Sequence, residues 1–328
     1  TEANAQLDAA IADLGAVTSA SDYSVIIGKL IPSFCQVDKG MPPTTAMWIR
    51  TINTLKARNI LVNKQFAAMQ PADWQSILTL TNSGVQATDF IFTGRTTATG
   101  DFLPASSGYV AAKIQSSGSG GGTYKLSERW VQEFVAGDKR RDNNVITLAS
   151  VGLFNSDRGN AFNTRYSLKY GGNGAAGVIT WANNVIGANE ITLAGTYEEN
   201  ELMKAEALIM TGQIDKGAES IDAVRTYQGA GLAPLGTGLT QAAAYEQLRR
   251  ERRIALAFKG LSFYDARRWD IIAPDKSRTG TTVVSVTGAV STNATIVYGF
   301  LDYWDVPDNE LAYNPAAAGS APTRNPKQ

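Results

Sequence analysis

The 328-residue chain contains no histidine and a single cysteine, Cys35. The absence of histidine excludes nucleophiles of the Ser-His-Asp and Cys-His types, most zinc sites and any histidine-based pH switch. One cysteine can form neither an internal disulfide nor a thiolate cluster. Lysine and arginine together number 30, as do aspartate and glutamate, so the formal net charge is zero. This balance argues against a nucleic-acid-binding protein, which normally carries a strongly positive field.

Long apolar runs are also missing. The charge-free stretch at residues 279–301 is interrupted throughout by Thr, Ser, Gly and Asn, so it predicts a short hairpin, with strands near 282–286 and 295–300, rather than a membrane span. Residues 1–14 are patterned as an amphipathic helix and lack the basic start and apolar run of a signal peptide. The composition is weakly typical of secreted or surface proteins, although it is compatible with an ordinary cytosolic protein.

Helical periodicity is the strongest pattern present. Thr196 and Glu199 form a capping box, Pro71 suits a first helical turn, and Gly212 suits a helix end. The apolar stripes fall into three consecutive helix pairs, which resemble tetratricopeptide units and must stack because one pair cannot bury its apolar faces alone. The pairs comprise residues 45–66 with 71–82, 196–212 with 214–229, and 240–258 with 263–272.

The chain is thereby predicted to be mostly α-helical, with stacked helix pairs, a large irregular insertion and a minor β-hairpin. Its length allows one large domain or two ordinary ones. We divide it into helical pairs at 1–92, a loop-rich region at 93–195, helical pairs at 196–272, and a hairpin with an extended tail at 273–328.

Two charged or glycine-rich motifs have competing interpretations. Gly172, Gly174 and Gly177 satisfy G-x-G-x-x-G, but no buried strand and helix are evident around them, which favours a turn over a dinucleotide site. The run at residues 249–253, RRERR, could bind phosphate or an acidic partner. However, Glu251 shares a helical stripe with Ala244, Leu248, Ala255 and Phe258. This favours a buried ion-pair network in which Glu251 contacts Arg252, Arg267 or Arg268.

Aromatic residues in polar loops are the best candidates for ligand binding. Phe102, Tyr109 and Tyr124 lie among Gly, Ser and Thr, where no periodic core stripe explains them. Exposed rings stack on sugar faces while groups such as Asp101 accept hydrogen bonds from hydroxyls. The alternative is that each ring fastens its own loop to the scaffold. No spacing of acids indicates the carboxylate pair of a glycosidase, so the sequence does not favour an enzyme.

The chain resembles the SusD/RagB-like outer-membrane nutrient-binding proteins. Residues 251–272, ERRIALAFKGLSFYDARRWDII, are similar to the family signature E-R-R-x-E-L-A-F-E-G-x-R-x-x-D-L-R-R-W. Residues 201–225 resemble the family's penultimate helix pair, and VPDNELAYNP at 306–315 resembles its closing segment. Shorter similarities occur at 54–63, 124–134 and 137–143. Ala255 and Lys259 depart from the family, whose members usually carry acids there, so ion pairs must be rearranged.

The resemblance implies a single SusD-like domain that lacks an N-terminal segment of longer relatives. It implies a lipoprotein on the outer face of the outer membrane, attached only through an N-terminal lipid absent from this chain. Such a protein binds a glycan, needs no cofactor or metal, performs no catalysis and delivers its ligand to a SusC-like TonB-dependent transporter. A peptide-binding member of the family and a tetratricopeptide-like protein-interaction scaffold are the alternatives.

Overall fold

The computed structural model describes residues 2–31, 41–89, 93–94, 125–155, 161–169, 171–181, 191–192, 194–285, 287–299 and 306–321. The N-terminal part is helical, as predicted. A short 3₁₀ turn at Phe66–Ala68 connects the third and fourth helices. The helices are α1 (Glu2–Gly15), α2 (Ala20–Leu30), α3 (Thr45–Val62) and α4 (Pro71–Asn82).

The start of α4 shows why the chain folds here as the sequence predicts. Pro71 occupies the first turn, where its missing N–H group costs nothing. The Asp73 carboxylate reaches back and accepts a hydrogen bond from the Gln70 backbone N–H at 2.8 Å. Helix α2 was not predicted; it begins at the N-cap Ser19, whose side chain accepts from the Asp22 backbone N–H.

The middle region contains a three-stranded antiparallel sheet that the sequence analysis did not predict. Its strand order is β2-β4-β3, and a separate pair joins β1 to β5. The elements are β1 (Thr93–Gly94), β2 (Lys125–Leu126), α5 (Glu128–Val131), α6 (Lys139–Asn144), β3 (Val145–Asn155), β4 (Ala161–Leu168) and β5 (Ile191–Thr192).

The C-terminal part returns to helices and ends with the predicted hairpin. The helices are α7 (Tyr197–Met210), α8 (Ile214–Tyr227), α9 (Gln241–Ala255) and α10 (Ser262–Arg268), the strands are β6 (Ser277–Val284) and β7 (Val290–Val297), and α11 (Asp308–Tyr313) follows. At α7 the Thr196 hydroxyl accepts from the Glu199 backbone N–H. The Glu199 carboxylate binds Arg58 on α3, so the predicted capping box contributes one bond within the helix and one between helices.

Stacking of the helix pairs builds one continuous helical layer. Helices α3 and α4 pack together, as do α7 and α8, and α4 also lies against α7. Helix α9 packs on both α7 and α8, whereas α10 contacts α3. The third predicted pair therefore divides its contacts between the other two. None of the helices in the described ranges has both the length and the apolar character needed to span a membrane.

Two buried clusters hold the helices and a third holds the middle region. Leu202, Ile221 and Leu248 centre the first, and Leu61, Ile77 and Met203 centre the second. Full burial of such a side chain contributes about 1.5–3 kcal/mol. The third cluster joins β2, α5 and β4 to α9 through Ile254, together with Trp181. This third cluster positions the site described next.

Candidate functional site

The ligand-binding residues predicted from the sequence lie outside the described residues. They are Asp101, Phe102, Tyr109 and Tyr124, and their roles stay a prediction. Tyr124 directly precedes β2 in the chain, and β2 leads into α5. The described residues on α5 therefore show what the scaffold places beside one end of the predicted ligand-facing region.

Four aromatic rings meet at this point, and we call them the aromatic cluster: Trp130, Phe134, Trp181 and Phe258. The Trp130 ring contacts the other three, with centroid distances of 5.0 Å to Phe134, 5.3 Å to Trp181 and 5.9 Å to Phe258. All three contacts are edge-to-face, the arrangement that aligns the positive edge of one ring with the negative face of another. The cluster thus joins α5, the segment after β4 and the end of α9 into one rigid unit.

Phe258 is the exposed member of this cluster. Phe134 and Trp181 are buried, whereas 47% of Phe258 is exposed. Its backbone φ is +64°, a left-handed conformation that is strained for a bulky side chain. Contacts with Trp130 and Trp181 fix its ring although one face is open to solvent. A fixed, half-exposed ring is suited to stacking on an apolar surface of a ligand.

The sequence analysis placed Phe258 wrongly on the buried stripe of α9. Ala244, Leu248 and Ala255 are buried as predicted. The helix, however, ends at Ala255, and the left-handed residue at 258 turns the ring away from that stripe. Gly260, also left-handed with φ +73°, is the sequence signal that a helix end was near.

Hydrogen bonds and charge hold the cluster from below. The Trp130 indole N–H donates to the Arg253 carbonyl at 2.9 Å. The Lys259 ammonium, next to Phe258, donates to the Thr196 hydroxyl at 3.3 Å and to the Glu198 carboxylate at 3.4 Å. Burial tends to raise the pKa of Glu198, but the Lys259 charge and several hydrogen bonds outweigh it and lower that pKa. Lys259 thereby ties the Phe258 loop to the start of α7.

A buried ion-pair network joins the middle region to the helices. Arg140 on α6 is fully buried and binds the Asp138 carboxylate at 2.8 Å, the Gln228 amide oxygen and the Glu251 carboxylate. Glu251 also accepts from Arg225 on α8 at 3.1 Å. The sequence correctly predicted that Glu251 is buried in an ion-pair network. It predicted the wrong partners, because the true ones come from α6 and α8.

The arginines expected at Glu251 form a second buried network. Arg252 binds the Asp265 carboxylate at 2.8 Å and 3.0 Å. Arg268 bridges Asp265 and Glu206, with contacts of 2.8 Å and 2.7 Å. Burial tends to raise the pKa of Asp265, but the two guanidinium groups outweigh it and lower that pKa. This network fastens α10 to α9 and α7.

The glycine motif forms a turn, as the sequence favoured. Gly172, Gly174 and Gly177 all have positive φ, and no helix begins within residues 171–181. A strand, β4, does precede the motif. Gly177 packs so closely on Gly229 that a Cβ atom at residue 229 would lie 2.1 Å from the Gly177 carbonyl oxygen. The motif therefore serves backbone packing that leads to Trp181.

Every buried carboxylate among the described residues is paired with a cation. The eight are Glu128, Glu133, Asp138, Glu198, Glu199, Glu206, Glu251 and Asp265. A glycosidase acid needs a raised pKa, which cationic partners oppose. The described parts of the chain also contain no group of three His, Cys, Asp or Glu side chains able to hold a metal ion.

A separate groove lies on the helical layer between α4, α7 and α8. Its volume is about 460 Å³, and charges of both signs line it. Glu201, Lys204, Lys216 and Glu219 supply the charges, and Tyr197 lies on its wall. This groove has no contact in common with the aromatic cluster, and its chemistry suits a polar extended partner.

Comparison with known families identifies the C-terminal helices. Residues 197–318 match the model of the SusD family. The chain is a member of the SusD/RagB-like family. The matched span contains Glu251, Arg252, Asp265 and Arg268, so the family signature maps in this SusD-family chain onto the buried networks rather than onto an exposed site.

Several solved structures are similar to this chain at low identity. A SusD-like protein from Bacteroides fragilis is 16% identical, with 88% of this chain and 67% of that chain covered and a TM-score of 0.47. B. fragilis NanU is 14% identical, with coverage of 87% and 63% and a TM-score of 0.45. A SusD-like carbohydrate binding protein from Bacteroides vulgatus is 12% identical, with coverage of 83% and 59% and a TM-score of 0.45.

The chain is shorter than these structures. It spans between about half and two thirds of the length of the first solved structures that it matches. No curated protein matches its sequence.

Proposed function

We propose that this SusD-family chain binds an oligo- or polysaccharide at the cell surface and passes it, chemically unchanged, to a SusC-like TonB-dependent transporter in the outer membrane. The observation that carries the proposal is the half-exposed Phe258 ring, fixed by Trp130 and Trp181 at the edge of the predicted ligand-facing region. A sugar ring offers an apolar face of C–H groups to such a surface, and its hydroxyl groups remain free for loop side chains.

Isothermal titration calorimetry against a panel of oligosaccharides tests this proposal. Loss of the Phe258 ring removes stacking worth about 1–2 kcal/mol, so Phe258→Ala should weaken binding roughly five- to thirtyfold. Tyr264→Ala is the matched control, because Tyr264 is similarly exposed at 41% and lies outside the aromatic cluster. Equal affinity of the Phe258 variant and the unaltered chain would overturn the role of this ring.

The predicted loop residues require their own variant. Tyr109→Ala combined with Tyr124→Ala should also weaken glycan binding if these rings contact the sugar. Unchanged affinity would remove them from the site while leaving the test of Phe258 intact.

The pairing of the buried carboxylates supports binding without catalysis. Neither Glu198 nor Asp265, the two buried acids with shifted pKa values, has the raised pKa that an acid catalyst needs. Incubation with the same oligosaccharides should release no new reducing ends. Turnover of any of them would contradict the proposal.

A peptide is the second candidate ligand, and the groove between α4, α7 and α8 favours it. The mixed charges of Glu201, Lys204, Lys216 and Glu219 could pair with a zwitterionic chain. Binding of a peptide pool that is lost in Lys204→Ala and retained in Phe258→Ala would support this function over glycan binding.

A further inference from the structure

The arginine-rich run of α9 divides between two sides of the helix. Arg252 is buried and pairs with Asp265, as described above. Arg249, Arg250 and Arg253 lie on another side, where their side chains are 18%, 29% and 22% exposed. The two interpretations of this run from the sequence therefore apply to different residues: one arginine is structural, and three are available near the surface.

These three arginines converge on one carboxylate. Glu133, which follows α5, lies 3.5 Å from Arg249, 3.9 Å from Arg250 and in direct contact with Arg253. A second acid, Glu246, pairs with Arg249 through two hydrogen bonds of 2.7 Å and 2.8 Å. A carboxylate has about four lone-pair sites, which are too few for the donors of three guanidinium groups.

Two further arginines add to the positive charge. Burial lowers the pKa of Arg253, and the charges of Arg249, Arg278 and Arg129 lower it further against the opposing effect of Glu133. The groups that face one another here come from α5 and the turn after it, from α9 and from β6. They comprise five guanidinium groups, at residues 129, 249, 250, 253 and 278, and two carboxylates, at residues 133 and 246.

We call these seven residues the arginine cluster, and its net charge is +3 in a chain whose formal net charge is zero. One of its donors is also unsatisfied. The Arg250 Nε atom is buried and has no hydrogen-bond partner. An unpaired buried donor is unfavourable, and a guanidinium group binds carboxylate and sulfate oxygens with matching planar geometry. The cluster thus has both the charge and the free donor to accept an anionic group.

The arginine cluster adjoins the aromatic cluster. The Trp130 indole donates to the backbone carbonyl of Arg253, and Glu133 is the chain neighbour of Phe134. Ring stacking and anion binding are therefore offered side by side at the same end of α9.

We propose that the ligand is an anionic polysaccharide, whose carboxylate or sulfate groups bind the arginine cluster while a sugar ring stacks on Phe258. This inference rests on the proposed glycan-binding function and specifies the class of glycan. The negative charge belongs to the sugar chain itself, and the zero net charge of the protein opposes general binding of nucleic acid.

Matched pairs of polysaccharides test the inference. Affinities are measured for polygalacturonate against its methyl-esterified form, and for chondroitin sulfate against unsulfated chondroitin, with single-stranded DNA as a third polyanion. In at least one pair, the form with the greater negative charge should bind at least tenfold more tightly, with an affinity that falls as salt concentration rises. Arg250→Gln should reduce that preference roughly tenfold, because a charge-assisted hydrogen bond is lost.

Arg141→Gln is the control for the loss of one positive charge. Arg141 is 37% exposed on α6 and pairs with Asp142, so the variant should keep the preference. Thermal melting of both variants checks that the fold persists.

The outcomes separate the two proposals. If the glycans bind but neither pair shows a preference for the more negatively charged form, the anionic class is wrong while glycan binding stands. If Arg250→Gln and Arg141→Gln change binding equally, or DNA binds as tightly as the anionic glycans, the arginine cluster is not a glycan subsite. If no glycan of either kind binds, the proposed function itself fails.

Discussion

Replacement of Arg140 by methionine should destabilise the protein severely. Arg140 is fully buried and forms the only charge contact between Asp138 and Glu251 among the described contacts of these residues. Methionine has a similar length but no charge, so Arg140→Met leaves the Asp138 carboxylate buried without its guanidinium partner. Removal of one member of a buried ion pair costs about 3–5 kcal/mol, because the remaining charge keeps its desolvation penalty.

Thermal and urea unfolding measure this cost. At about 2 °C per kcal/mol for a large chain, Tm should fall by roughly 6–10 °C. Arg141→Met is the matched control on the next residue of α6. Arg141 is partly exposed and pairs with the exposed Asp142 at 3.4 Å, so its loss should cost about 1 kcal/mol or less.

The difference between the two variants is the decisive quantity. Equal stabilities of Arg140→Met and Arg141→Met would show that the buried network does not hold α6 to the helical layer. The reasoning on how the middle region is positioned would then be wrong.

Three further predictions concern packing and charge. Gly229→Ala should cost about 2 kcal/mol or more in urea unfolding, since its Cβ would meet the Gly177 carbonyl, whereas Gly236→Ala, with open space around it, should show only the cost of its positive φ; equal costs would contradict the close approach. Leu202→Ala should cost about 2–5 kcal/mol because it opens a cavity between α7, α8 and α9, and a loss below 1 kcal/mol would place Leu202 outside the core. The pKa of Asp265 is lower in the folded than in the unfolded chain, so its stabilising contribution is present above about pH 4 and is lost as pH falls through its folded pKa; Tm measured from pH 7 to pH 2 should show this loss, and Asp265→Asn should reduce it.

Much of the helical layer could be predicted from the sequence because its signals are local. The amphipathic stripe, Pro71 and Gly212 each act within a few residues, and α4 has the bounds that its periodicity predicts. The sheet was missed because its central strand β4 carries polar residues at buried positions. Thr164 is buried there because its hydroxyl donates to the Leu126 carbonyl, a partner that only the folded chain supplies.

The candidate site was less accessible to sequence reasoning. That Glu251 is buried follows from its helical stripe, but its partner Arg140 lies 111 residues away and no local pattern links the two. Phe258 continues the apolar spacing of α9, so the period alone places it in the core. Its exposure depends on a left-handed backbone and on contacts with Trp130 and Trp181, which are distant in sequence.

The most direct test of the central claim is a crystal structure of the chain with the tightest-binding oligosaccharide from the panel. The account requires a sugar ring within van der Waals contact of the Phe258 ring, with every glycosidic bond of the ligand intact. A sugar bound elsewhere while Phe258 remains open to solvent, or a cleaved ligand, would contradict it.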